Sequence, residues 1–353
     1  MVAISMGSGA SEGGIPLRVV TGSAICDGHD AAINIFRRIL QSQGAEVIHL
    51  GHSRGADEFA HAAIQEDAHA IAITSYQGGA VGQFTHTRSI LDEHGHEHVF
   101  CFGGGGGTIL LDEVKHLRDQ GIAHIYTPDD GREMGLVGMV QDAMSRASGI
   151  DLMDESRLRF DGAVSADEHS AVGRLLTLAE NGDEGTLSTA LETVRSRDKS
   201  DECPVVGVFG SGGSGKSSLL DELMLRIQRD NPGAKVALLA TDPTRDKTGG
   251  ALLGDRIRMN SLTSPNLFMR SFASRSSGTE IADCVESAIG VCKAVGFDLV
   301  LVETSGTAQR DSAVAEVSDI SLYVTAPMVY GAPSQLEKLA GLDVADMVLV
   351  NKF

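Results

Sequence analysis

Short apolar runs alternate with amphipathic stretches along the first part of the chain. Runs rich in Val, Ile and Leu predict buried strands, and apolar residues spaced three and four apart predict helices. The predicted strands of this part are 17–25, 45–51, 70–76, 98–104 and 123–128. Helical patterns such as 31–44 and 56–67 lie between them. This alternation predicts a parallel sheet with helices on both faces.

The same pattern returns near residue 204. Six further strands are predicted, at 204–210, 234–242, 267–273, 298–306, 320–327 and 347–352. Between the two series the chain is highly charged and has helical patterns at 166–180 and 184–196. We therefore predict an α/β protein of two doubly wound domains, 17–148 and 203–353, joined by a helical linker at 149–202. Residues 1–16 are rich in Gly and Ser and are predicted to be disordered.

Composition narrows the class of protein. The chain has 353 residues, of which 42% are apolar, and its mean hydropathy is near zero. This length and apolar content are enough to form two packed cores. No apolar run has the length of a membrane span, and the amino terminus lacks a secretion signal, so we expect a cytoplasmic protein that binds no membrane. The net charge of −19, without a basic run, argues against nucleic acid as a partner. Five scattered cysteines without a C-x-x-C pair predict reduced thiols and no zinc site at the cysteines.

A phosphate-binding loop follows the first strand of the second series. The spacing Gly210-x-x-x-x-Gly215-Lys216-Ser217 lies between a hydrophobic strand and a helical pattern. Loop N–H groups and the helix N-terminus can surround phosphates, Lys216 can reach the terminal phosphates, and Ser217 can bind Mg²⁺. The alternative is a glycine-rich turn without function, against which the flanking strand and helix argue. The predicted nucleotide contacts are Gly210, Gly212, Gly213, Ser214, Gly215, Lys216, Ser217 and Ser218.

Acidic residues follow the loop in the order that nucleotide hydrolases use. Asp242 ends a predicted strand, Asp255 lies in the next segment, and Glu303 ends a buried strand. All three can hold Mg²⁺ or its water ligands, and Gly306 can donate its N–H to a γ-phosphate. For Asp242 and Asp255 a solvated loop or a helix cap is the alternative.

The sequence closes with a strand followed by Asn351 and Lys352. A strand followed by Asn-Lys-x-Asp is the guanine-recognition element of GTPases, in which the Asp accepts hydrogen bonds from the base and Asn and Lys brace the loop. Here the sequence stops before the Asp, so we expect a chain truncated within this motif. A chance Asn-Lys pair is the alternative, and the choice between GTP and ATP stays open.

Residues at three strand ends of the first domain suggest a second site. Asp27 and His29 follow the first strand, Thr74 and Ser75 end the third, and five glycines from Gly103 end the fourth. Ligands of doubly wound folds bind at these carboxyl ends. A carboxylate near His29 can orient it as a metal ligand, and a glycine run leaves space for a large flat cofactor. A surface histidine is the alternative for His29 alone.

These residues resemble the signature of flavodoxin-like cobalamin-binding domains. Asp27-x-His29-x-x-Ala32, Thr74-Ser75-Tyr76 and Gly103-Gly104 correspond to Asp-x-His-x-x-Gly, Ser-x-Leu and Gly-Gly. The resemblance implies that His29 binds cobalt in place of the cofactor's own base. It also implies that the displaced nucleotide tail enters the sheet near the other two motifs. Ala32, Thr74 and Tyr76 depart from the usual residues.

The second half resembles the G-protein chaperones of methylmalonyl-CoA mutase. Residues 303–309 match their Glu-Thr-x-Gly-x-Gly-Gln motif, except that Ala308 replaces Gly. The resemblance implies binding of GTP and GDP with Mg²⁺, and hydrolysis that uses Lys216, Glu303 and Gln309. The domain order is similar to the amino-terminal part of adenosylcobalamin-dependent acyl-CoA mutases fused to this chaperone. It implies a partner substrate domain, a homodimer at full length, and a radical isomerisation gated by GTP.

Two other functions stay open from the residues alone. One is a regulatory P-loop NTPase whose flavodoxin-like receiver domain binds no cobalamin, and the other is a cobalamin carrier with a degenerate nucleotide domain.

Two further groups of residues also allow two interpretations. His94, His96 and His98 would share one face of a strand and bind a metal, although a polar loop is the favoured interpretation. Four basic residues lie near Asp242 and Asp255 in the sequence. They could stabilise a phosphate transition state or form a solvated loop; these are Arg245, Lys247, Arg256 and Arg258.

Overall fold

The computed structural model describes residues 14–28, 30–195, 203–244, 248–275, 284–304, 312–327 and 340–352. The chain forms two compact units. The first contains the described residues up to Asp154 and a second segment that ends at Ile257. The other contains Glu155–Thr244 and the described residues from Arg258 onward.

The described residues contain twelve strands and eleven α-helices. The strands are β1 (Arg18–Ala24), β2 (Glu46–Arg54), β3 (Ala70–Thr74), β4 (Phe100–Gly104), β5 (His124–Tyr126), β6 (Val205–Phe209), β7 (Val236–Pro243), β8 (Ala251–Leu253), β9 (Leu267–Ser274), β10 (Leu299–Glu303), β11 (Ile320–Thr325) and β12 (Met347–Val350). The helices are α1 (Asp30–Ser42), α2 (Ala56–Gln65), α3 (Ala80–Glu93), α4 (Leu111–Asp119), α5 (Pro128–Ala147), α6 (His169–Asn181), α7 (Glu184–Val194), α8 (Lys216–Asp230), α9 (Val285–Val295), α10 (Ser312–Glu316) and α11 (Ala340–Val344).

The sheet of the first unit is parallel, in the order β5-β4-β3-β1-β2-β8. Its first five strands follow the flavodoxin-like order, in which the chain winds in both directions from β1. Val19, Val47, Ala72 and Phe102 belong to a buried cluster that also includes Ile33 of α1. Helices formed by amphipathic patterns therefore cover this sheet, as the sequence predicted.

Strand β8 is the strand that the sequence analysis did not predict. Its Ala251, Leu252 and Leu253 pair in parallel with β2, and Ala251 N donates to Ala45 O at 3.2 Å. Thr248 Oγ1 donates to Gln41 O at 3.1 Å. The strand thus belongs to the first sheet and its flanking residues to the first unit, although they lie within 203–353, the range predicted for the second domain.

A buried ion-pair network fixes the residues that follow β8. Glu66 accepts from Arg256 Nη1 at 3.2 Å and from Arg18 Nη1 at 3.3 Å, and Arg18 also reaches Glu46 at 3.0 Å. All four side chains are at most 5% exposed. The solvated-loop interpretation is therefore wrong for Arg256. Arg245 and Lys247 lie outside the described residues.

The sheet of the second unit is also parallel, in the order β12-β11-β6-β10-β7-β9. Val208, Leu238, Leu301 and Val324 of its strands pack in one buried cluster with Leu220 of α8. The two helices predicted within 149–202 are present as α6 and α7. They belong to this second unit. Two doubly wound parallel sheets confirm the predicted fold class.

The five cysteines all lie among the described residues and are all free thiols. In the parts of the chain that the structure describes, no helix has both the length and the apolar character needed to cross a membrane.

Candidate functional site

The phosphate-binding loop of the second unit connects β6 to α8. Gly210 has φ of +132°, and a Cβ there would lie 2.1 Å from Val324 O, so only glycine fits where the chain leaves the strand. Gly215, with φ of +96°, starts α8. The Lys216 ammonium is buried and donates to Gly210 O at 2.8 Å and to Ser211 O at 3.3 Å. Lysine and loop therefore form one compact structure at the N-terminus of α8.

Residues after β12 brace this loop from the neighbouring side. Asn351 Nδ2 donates to Ser214 O at 2.9 Å, and Lys352 Nζ donates to Gly213 O at 2.6 Å. Asn351 N also donates to Thr325 O at 2.8 Å, which continues the pairing of β12 with β11 by one residue. The structure thus brings the Asn-Lys pair to the phosphate loop.

Glu303 and Ser217 meet beneath the loop. Ser217 Oγ donates to Glu303 Oε1 at 2.7 Å, and the Glu303 side chain is 1% exposed. Burial raises the pKa of Glu303 to about 7, against the opposing effects of the Ser217 hydrogen bond and of the Lys216 and Arg258 charges. The site therefore holds a carboxyl group whose charge is sensitive to its surroundings.

Three buried polar atoms around the loop suit a polar ligand. Glu303 Oε2, Ser211 Oγ and Ser214 Oγ make no hydrogen bond to any described residue. Buried polar groups are normally paired, so three such atoms beside a phosphate loop are expected where a ligand, a cation or water supplies the partners. Their chemistry, a carboxylate and hydroxyls, fits Mg²⁺ and phosphate.

The other predicted residues of this site fall in three places. Asp242 lies on β7, next to β10 in the sheet, and its charge acts on Glu303. Asp255 is buried and begins a 3₁₀ turn, Asp255–Arg258, in the part of the chain assigned to the first unit. Gly306 and Gln309 lie outside the described residues.

A cavity of about 240 Å³ lies at the carboxyl ends of β3, β4 and β5 in the first unit. Its walls are mainly apolar, and the residues that line it include Ala32, Phe36, Thr74, Tyr76, Phe102, Gly103, Gly104, Tyr126 and Met139. The predicted residues Thr74, Gly103 and Gly104 therefore share one cavity. An apolar cavity of this kind fits an uncharged aromatic group such as a nucleotide base.

Hydrogen bonds from both side chains and backbone hold the strand ends around the cavity. Asp27 is fully buried, and its Oδ2 accepts from Tyr76 N at 2.6 Å. Thr74 Oγ1 lies 3.0 Å from Ser23 Oγ, and Ser75 N donates to Gly104 O at 3.0 Å. The Asp27 carboxylate thus connects the turn after β1 to the end of β3. His29 lies outside the described residues.

Glycine is required in the run that begins at the end of β4, because neighbouring residues lie close to it. A Cβ at Gly103 would lie 2.0 Å from Ile73 O and 2.6 Å from the Phe84 ring. A Cβ at Gly106 would lie 2.3 Å from the Tyr76 ring. The run therefore packs against β3 and Tyr76, and the cavity opens beside it.

Several residues of these two sites carry no sequence motif. Tyr126 ends β5, but Phe36 and Met139 lie within α1 and α5 and look like ordinary core residues, so no sequence signal marked these two. The charge of Arg258 acts on Glu303, and the sequence had left it either as a residue that stabilises a phosphate transition state or as part of a solvated loop.

A glycine loop between strand and helix, with a buried lysine and a serine that bonds an acidic strand end, defines a P-loop nucleotide-binding domain. Residues 172–353 match the family model described as methylmalonyl-CoA mutase-associated GTPase MeaB. The chain belongs to this family. Residues 17–130 match the model of a B12 binding domain.

Known proteins resemble the chain over both units. It is 50% identical over 339 residues to the fused isobutyryl-CoA mutase of Cupriavidus metallidurans, a match that covers 96% of this chain and 30% of that protein. It is 48% identical over 347 residues to the fused isobutyryl-CoA mutase of Geobacillus kaustophilus, covering 96% and 31%. A putative GTPase of Pyrococcus horikoshii is 37% identical over 186 residues, covering 52% of this chain and 57% of that protein. The chain therefore spans about 30% of the length of the fused mutases that it matches.

Proposed function

We propose that this chain is the cobalamin-binding and GTP-hydrolysing portion of an adenosylcobalamin-dependent acyl-CoA mutase fused to its G-protein chaperone. The main support is that one chain carries both a braced phosphate loop and an apolar cavity at the strand ends of a flavodoxin-like sheet. The chain matches fused isobutyryl-CoA mutases over 96% of its length, a range that includes most of both family matches. Isobutyryl-CoA is accordingly the substrate we propose for the whole protein.

In the nucleotide site the loop from Gly210 to Ser218 binds the phosphates of GTP. Its N–H groups and the N-terminus of α8 supply positive potential. Lys216 exchanges its two carbonyl contacts for the terminal phosphate oxygens, because a charged acceptor binds an ammonium more strongly than a neutral one.

Three residues near the loop have chemistry suited to Mg²⁺, namely Ser217, Asp242 and Glu303, and the sequence motif adds Asp255. Bound Mg²⁺ neutralises phosphate charge. Bound there, the cation would favour the charged form of the Glu303 carboxyl over the neutral form that burial favours. Gln309 and Gly306 orient the attacking water and contact the γ-phosphate in this proposal.

In the first unit the cavity takes the base of the cofactor's nucleotide tail. His29 binds cobalt, Asp27 fixes the turn that presents it, and Thr74 and Ser75 lie at the strand end beside the tail. When bound, adenosylcobalamin would supply the radical chemistry of a carbon-skeleton rearrangement on the substrate domain. The residues of this chain hold the cofactor, while GTP binding and hydrolysis gate its loading.

We further propose that the partner is an acyl-CoA mutase substrate domain, and that the full-length protein is a cytoplasmic homodimer. The fused relatives are more than three times as long as their match to this chain, which leaves room for such a domain.

Two measurements on the purified chain test the proposal. Hydroxocobalamin should show a shifted visible spectrum that His29→Ala removes and that His52→Ala, at an exposed position of the first unit, keeps. A wild-type protein without any spectral shift would argue against the cobalamin site.

Phosphate release from GTP should fall at least about 100-fold in Lys216→Ala and persist in Lys115→Ala, at an exposed position. Hydrolysis that survives loss of Lys216 would instead support a cobalamin carrier with a degenerate nucleotide domain. The regulatory NTPase without cobalamin is not favoured, because residues 17–130 match a B12 binding domain.

A further inference from the structure

Three potential metal ligands meet at the amino-terminal ends of β3 and β4, the opposite end of these strands from the cavity. Asp67 precedes β3, and His96 and His98 precede β4. These two strands are parallel neighbours, with Ala70 beside Phe100, so residues that precede them meet at one edge. One ligand atom from each of the three side chains lies within 4.8 Å of the others.

The backbone holds these residues in place. Asp67 has φ of +42°, a left-handed conformation that a residue with a side chain adopts when its surroundings enforce it. His96 N donates to Leu91 O at 2.8 Å, and the buried Arg88 donates to His96 O at 2.7 Å and to Val99 O at 2.9 Å. The loop between α3 and β4 is therefore fixed from both sides.

The side chains offer the ligand chemistry of a transition metal. Asp67 is 0% exposed and His96 1% exposed, and the His96 and His98 rings lie 5.3 Å apart between centroids. Two imidazoles and a carboxylate bind Zn²⁺ and related divalent ions and leave a coordination position for water. Ligand atoms on one tetrahedral zinc ion are about 3.3 Å apart, so the three ligand atoms need to approach one another by at most about 1.5 Å to surround an ion.

We propose that Asp67, His96 and His98 form a binding site for one divalent transition-metal ion of the zinc class. The ion connects the loops that precede β3 and β4, the two strands whose other ends border the cavity. The chain supplies three ligands, so water fills the fourth coordination position of a tetrahedral ion. The site uses none of the residues proposed for cobalamin or nucleotide.

His94 gives a matched control in the same loop. Its Nδ1 lies 2.8 Å from Ile90 O at the end of α3, and its ring contacts His61 edge to face. All three histidines lie in the loop between α3 and β4, so they do not share one face of a strand. Only His96 and His98 join Asp67.

The test uses the full chain, stripped with a chelator and free of cobalamin and nucleotide. Zn²⁺ is titrated in competition with a chromophoric chelator, and Tm is measured with and without one equivalent of Zn²⁺. We expect one tight ion per chain and a higher Tm with zinc. Affinity should fall about 100-fold or more in His96→Gln and His98→Gln and stay unchanged in His94→Gln.

Two results would overturn this site. One is a folded wild-type chain that binds no stoichiometric zinc, which would leave the three side chains as a purely hydrogen-bonded group. The other is equal zinc binding by His98→Gln and wild type, which would place the ion elsewhere. His98 is only partly buried, so its variant is expected to fold, and circular dichroism checks this.

Discussion

Ser217 Oγ donates a 2.7 Å hydrogen bond to Glu303 Oε1, which joins the first turn of α8 to the end of β10. The carboxyl group that accepts this bond is almost fully buried. Its charged form is therefore disfavoured in the free protein, although Lys216 and Arg258 partly offset the effect of burial.

Glu303→Gln should stabilise the nucleotide-free protein at high pH. The pKa of Glu303 rises from 4.5 to about 7 on folding, so the folded state binds the proton more tightly than the unfolded state. Stability therefore falls as pH rises from about 4.5 to about 7 and stays low above it. Glutamine stays neutral and still accepts from Ser217, so it should gain up to about 3 kcal/mol at pH 8 and little at pH 5. Urea unfolding at both pH values measures this.

Glu222→Gln is the control for this prediction. Glu222 is half-exposed on α8 and pairs with Arg226, so its substitution should change stability by less than about 0.5 kcal/mol at either pH. The same gain for Glu303→Gln at pH 5 and pH 8 would contradict a raised pKa.

Asn351→Ala should weaken nucleotide binding. The change removes the hydrogen bond to Ser214 O that braces the phosphate loop, and one such bond contributes about 1 kcal/mol. We expect a roughly fivefold higher Kd for a fluorescent GDP analogue, measured by titration. Arg226→Ala, on the exposed face of α8, should leave Kd unchanged. An unaltered Kd in Asn351→Ala would mean that the loop keeps its shape without the brace.

Ala32→Leu should reduce the affinity for hydroxocobalamin. Ala32 lines the cavity, and three additional carbon atoms occupy space that the nucleotide base would need. We expect at least about a tenfold loss, measured by spectral titration. Ala31→Leu, one position earlier and exposed on α1, is the size-matched control. Full affinity in Ala32→Leu would show that the cavity does not take the tail.

Glu66→Ala should destabilise the first unit strongly. Two buried guanidinium groups, Arg18 and Arg256, lose a shared carboxylate, and breaking a buried ion pair in this way costs about 3 to 5 kcal/mol. Glu58→Ala removes a partly exposed pair with Arg54 and should cost less than about 1 kcal/mol. Chemical denaturation compares the two. Equal losses would mean that the buried network adds nothing beyond a surface pair.

The strand and helix pattern was predictable because its elements have long, regular apolar patterns. The eleven predicted strands are all present, and the phosphate loop was visible from its glycines and from the strand and helix that flank it. Both signals depend only on residues that are close together in the sequence, so the sequence alone reveals them.

What the sequence could not predict depends on contacts between distant residues. Strand β8 is apolar but has only three residues, which are too few to show a periodic pattern. The burial of Arg256 follows from Glu66, far away in the chain, and the walls of the cavity come from residues on several elements. The spacing of apolar residues along the chain does not reveal contacts between residues that are far apart in the sequence.

The path of β8 bears on any attempt to divide the protein. A fragment that ends before residue 200 would keep five strands of the first sheet but lose the one that pairs with β2. The backbone of β2 would then be left uncovered, and an open strand edge promotes self-association. A soluble amino-terminal piece therefore requires residues 248–257 to be grafted back, or β2 to receive a charge that blocks strand addition.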